Sequence, residues 1–63
     1  MTVPIAEQIA CVARELALRR NVYPRQVEAK RLSQSKADHE IAAMQAVLET
    51  LVTIQRGQLE AET

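Results

Sequence analysis

The 63-residue chain contains no tryptophan and no phenylalanine, and it has one glycine, two prolines and a single cysteine. So few aromatic and turn-forming residues exclude a strand-rich fold, in which β-branched and aromatic runs alternate with glycine- and proline-marked turns. A lone Cys11 has no partner for an internal disulfide, and one cysteine with one histidine, His39, does not make a four-ligand zinc site. The sole glycine, Gly57, leaves no glycine-rich phosphate loop. No apolar run approaches the length of a membrane span, and the N-terminus lacks the basic-then-apolar order of a signal peptide, so a cytoplasmic protein is expected, with no membrane partner. No cofactor or metal is implied by any of these residues.

What is present is helical. Apolar residues make up 48% of the chain and the formal net charge is zero. A chain this short buries only about 60% of its unfolded surface, so regular packing or oligomerisation must supply what disulfides and metals do not. Ile5, Ile9, Val12 and Leu16 recur at steps of four, three and four, which puts them on one stripe of a first helix over about residues 4–21. Thr2 reads as its N-cap, with Pro4 in the first turn, and Arg19, Arg20 and Asn21 suit its C-terminal dipole. Val22-Tyr23-Pro24 then reads as a turn, because proline removes a donor and disfavours helix at the preceding residue.

A second helical segment follows over about 24–57. Within it Leu32-Ser33-Gln34-Ser35 interrupts the strong helix formers, and Ser33 is placed to cap a new helix at Gln34; a single helix kinked near 31–34 is the alternative. Ala37, Ile41, Met44, Leu48 and Leu51 form a seam of coiled-coil type, flanked by Ala43, Val47, Val52 and Ile54. Gly57 reads as the stop and residues 58–63 as a frayed tail. The fold class is therefore all-α: an antiparallel helical hairpin with a short and a long arm. The wide apolar arc of the long arm asks for a second subunit, so Ile41, Met44, Leu48 and Leu51 are expected at the core of a dimeric four-helix bundle; the competing form is a monomeric hairpin with an exposed patch.

No arrangement supports catalysis. His39 lies between Asp38 and Glu40, yet adjacent helical residues diverge by about 100° and do not form a dyad. Binding is better represented. Between Arg14 and Lys36 the chain holds seven of its eight basic residues against Glu15 and Glu28, a net +5 that a hairpin gathers toward its turn. Arg20, Tyr23, Arg25 and Arg31 are the candidate contacts of this basic end, with packing over the hairpin end, ring buried and hydroxyl wet, as the alternative role for Tyr23. Cys11 and Leu18, one heptad apart and framed by Glu7, Arg14 and Glu15, are a candidate docking spot on the outer face of the first helix, against simple scatter of exposed apolar residues. Nucleic acid is a second candidate partner, weakened by zero net charge and by the lack of stacking aromatics beyond Tyr23.

The residues Leu16-Ala17-Leu18-Arg19-Arg20, Val22-Tyr23-Pro24-Arg25, Lys36-Ala37-Asp38-His39-Glu40-Ile41, Met44 and Leu48 resemble a group of small bacteriophage and prophage proteins that carry a tyrosine-proline-arginine turn. That group often has tryptophan where this chain has Gln26 and glycine where it has Lys30. The loss of that glycine makes a left-handed helix end at position 30 less comfortable and favours a continuous kinked helix. The resemblance implies a phage accessory protein that binds and disables a protein of the host cell.

Overall fold

The apolar stripe of the first helix does not end at Pro24. Counting on from Leu16, Tyr23 and Val27 fall at steps of seven and four, on the same side as Ile5, Ile9 and Val12. The helix follows that stripe. A computed structural model describes residues 2–62 as two antiparallel helices, α1 (Ile5–Glu28, 24 residues) and α2 (Gln34–Glu62, 29 residues), in a hairpin measuring 50 × 21 × 17 Å.

The expected turn at Val22-Tyr23-Pro24 is therefore corrected: all three residues are helical, and Pro24 lies inside α1. An internal proline costs about 3 kcal/mol through a lost hydrogen bond and a clash with the carbonyl four residues earlier, here that of Arg20. Ending the helix instead would remove Tyr23 and Val27 from the interface. Both side chains are half-buried, which recovers roughly 1.5–3 kcal/mol between them and offsets most of the proline's cost. The arms are consequently close in length, not one short and one long.

The real turn is 29–33, and it opens with a Schellman motif. Lys30 N–H donates to the Val27 carbonyl at 3.0 Å and Arg31 N–H to the Gln26 carbonyl at 2.9 Å, while Lys30 takes up φ 61°. The left-handed helix end thus falls at position 30 despite its lysine, and the continuous kinked helix is not formed. Ser33 starts α2 as expected: its Oγ accepts the Lys36 N–H at 3.1 Å and its carbonyl accepts the Ala37 N–H at 3.0 Å. At the other end of α1 the cap is Pro4, not Thr2. The Pro4 carbonyl accepts from Glu7 and Gln8 N–H at 3.0 and 3.1 Å, and no side chain caps the helix. Gly57 does not stop α2, which continues through the expected tail to Glu62; Thr63 lies outside the described residues.

Only Leu16, at 3% exposure, and Ala37, at 2%, are fully enclosed among the described residues. Ala37 lies on the side of α2 that meets α1, between Glu40 and Gln45, each of which holds an arginine of α1. Ile41, Met44, Leu48 and Leu51 all project within about 50° of that direction. Within the single chain this seam packs toward α1. All four remain half-buried.

Candidate functional site

Two adjacent arginines in the middle of α1 lock the helices in register. Arg19 reaches along its own helix and across to the other: Nε donates to Glu15 Oε1 at 3.1 Å, and Nη1 donates to the Glu40 carbonyl at 3.2 Å and lies 3.6 Å from Glu40 Oε2. Its guanidinium carbon stands 5.9 Å from the centre of the Tyr23 ring, within range of a cation–π contact. On the opposite flank Arg20 Nη2 donates to Gln45 Oε1 at 2.8 Å, and Gln45 Nε2 donates on to Glu49 Oε1 at 3.3 Å. These partly exposed pairs are worth about 0.2–1 kcal/mol each, so their main effect is to fix alignment, not to supply stability. The sequence offered Arg19 as a helix-end residue and Arg20 as that and as a candidate partner contact; Glu15 and Arg19 at i,i+4 were visible, but Glu40 and Gln45 follow from the position of the turn.

The candidate binding residues divide accordingly. Arg20, itself exposed, is tied across the hairpin to Gln45, and Tyr23 is half-buried beside Arg19. Cys11, Leu18, Arg25 and Arg31 are all exposed, and Cys11 carries a free thiol. Cys11, Leu18 and Arg25 lie within about 40° of one another on the side of α1 turned away from α2. Leu18 is 54% exposed. The strip they form leads to the turn, where Arg25 and Arg31 line an open groove of about 310 Å³ with Val22, Gln26 and Ala29. A second open hollow of about 420 Å³ lies over Val27, Lys30, Arg31, Leu32, Ser33 and Gln34. The outer face of α1 and the basic turn end are thus one continuous surface.

The polar residues around His39 do not converge on it. His39 is exposed on the side of α2 opposite Ala37, Asp38 accepts from Gln34 Nε2 at 2.8 Å, and Glu40 faces Arg19. Among the described residues no three histidine, cysteine, aspartate or glutamate side chains are grouped to hold a metal ion, and no helix is long and apolar enough to cross a membrane. Comparison with protein-family models, with curated proteins and with solved structures returns no match.

Proposed function

We propose that this chain is a non-enzymatic accessory protein of bacteriophage type, one that acts in the host cytoplasm by binding a host protein and modulating or inhibiting it. The observation that carries the reading is the strip from Cys11 and Leu18 through Arg25 to Arg31, where exposed apolar side chains run into a basic groove at the turn. Apolar anchors beside unpaired guanidinium groups suit an acidic protein surface with a hydrophobic pocket. Affinity capture from host lysate, run in parallel with wild type and a Leu18→Asp, Arg25→Glu variant, tests it. A protein retained by wild type and lost by the variant, with helical circular dichroism unchanged, is the expected result; identical captures by both would remove this surface from the function.

A second reading, a small nucleic-acid-binding regulator, draws on the exposed Arg25, Lys30, Arg31 and Lys36 around the turn. Titration of labelled DNA and RNA at two salt concentrations separates the two. Tight binding with a steep salt slope would favour the regulator, and no binding at low salt would dismiss it.

A further inference from the structure

Val47 and Ile54 are 46% and 45% exposed, one heptad apart on the flank of α2 that also carries Glu40. Ala43 continues the same strip and half-buried Leu51 borders it toward α1. The strip has no cover within the hairpin. The chain exposes 4956 Å² for a mass of 7.0 kDa. A folded monomer of that mass is expected to expose about 4,000 Å², and the surplus of roughly 900 Å² is close to the ~800 Å² that each partner buries in a standard interface. Pairing side by side along the 50 Å axis is the arrangement that removes such an excess from an elongated hairpin.

Charge selects the direction. The half nearer the turn, residues 17–47, has six basic residues (Arg19, Arg20, Arg25, Lys30, Arg31, Lys36) against three acidic ones, a net +3. The other half has Arg14 and Arg56 against Glu7, Glu15, Glu49, Glu60 and Glu62, a net −3. Parallel pairing would set like halves together, whereas antiparallel pairing sets each positive half against a negative one. A two-fold axis passing α2 between Thr50 and Leu51 does this, and it places Val47 against the partner's Ile54 and Ile54 against the partner's Val47.

We propose that the protein is a two-fold, antiparallel homodimer in which the Ala43–Val47–Ile54 strip of α2 packs on the same strip of a second copy. The pairing leaves the outer face of α1 free and does not depend on what that face binds.

Sedimentation and light scattering on the full chain should give twice 7.0 kDa. Val47→Glu, a change at an exposed position, should weaken association by about 30-fold or more while helical circular dichroism is retained. Orientation is read in a Cys11→Ser background from Val47→Cys chains, Ile54→Cys chains, and an equal mixture. In the antiparallel dimer identical positions sit about 10 Å apart along the axis, too far for a disulfide, while position 47 meets position 54. Disulfides should therefore form in the mixture between unlike chains and not within either single population. Homodisulfides in the single populations, a monomeric mass for wild type, a species larger than a dimer, or an unweakened Val47→Glu dimer would each overturn the proposal.

Discussion

Lys30 holds φ 61° at the C-terminal cap of α1, a conformation in which a Cβ crowds the following carbonyl at a cost of about 1–2 kcal/mol. Glycine at this position carries no such penalty and loses part of the gain to its freer unfolded chain. Lys30→Gly should therefore stabilise the hairpin by about 1 kcal/mol, raising the thermal midpoint by roughly 4–8 °C for a domain of this size. An unchanged midpoint would mean that the turn relaxes to accommodate the lysine. Gly57 presents the reverse case. It sits within α2 with a helical backbone, and a Cβ added there meets nothing within 4 Å. Gly57→Ala should accordingly add about 0.5–1 kcal/mol through helix propensity alone. A lower midpoint in the same melt would place a neighbour against that face of α2.

At the scale of the helices, Pro24 distinguishes two accounts of the hairpin. If it made the turn, replacing it would join the arms into a longer rod. In the fold described here it interrupts one hydrogen bond to the Arg20 carbonyl in a helix held by its stripe, so Pro24→Ala should raise stability by about 1–3 kcal/mol and leave the shape unchanged. Small-angle scattering decides between them, since the Cα radius of gyration of 14.8 Å belongs to the folded-back form. The same residue explains what the sequence could and could not disclose. Helical periodicity, the Ser33 cap and the seam from Ala37 to Leu51 are local patterns, and the structure keeps them. The position of the turn depends on a balance between local propensity, which disfavours Pro24, and the interhelical packing of Tyr23 and Val27. That stripe was legible seven and eleven residues beyond Leu16, but its energetic weight depends on a partner helix whose register the turn itself sets. Moving the turn from 22–24 to 29–33 is what brings Arg19 to Glu40 and Arg20 to Gln45. It is also why Arg20, though exposed, is engaged by Gln45 and Tyr23 is half-buried, while Cys11, Leu18, Arg25 and Arg31 are exposed.

For the molecule as a whole, the decisive quantity is how little one hairpin encloses. With only Leu16 and Ala37 fully buried among the described residues, a single chain has the secondary structure of a folded protein and almost none of its interior. The ordering entropy of some sixty residues, at about 1–2 kcal/mol each, must be met by apolar burial, and half-buried seams meet it incompletely. Stability should then be shared between folding and association, and a shared stability depends on concentration by mass action. Each tenfold rise in protein concentration favours a dimer by about 1.4 kcal/mol, or roughly 0.7 kcal/mol per chain. For a domain this small that corresponds to a midpoint about 3–5 °C higher. Circular dichroism melts of the wild-type chain at 1, 10 and 100 μM, all approximate concentrations chosen to span two decades of mass action, should show this stepwise rise. In Val47→Glu the steps should shrink as the dimer weakens, and the midpoint should fall toward that of the isolated hairpin. Midpoints that coincide across the whole range for wild type would show that the two helices are sufficient alone, and the exposed strip on α2 would then be no part of what keeps the chain folded.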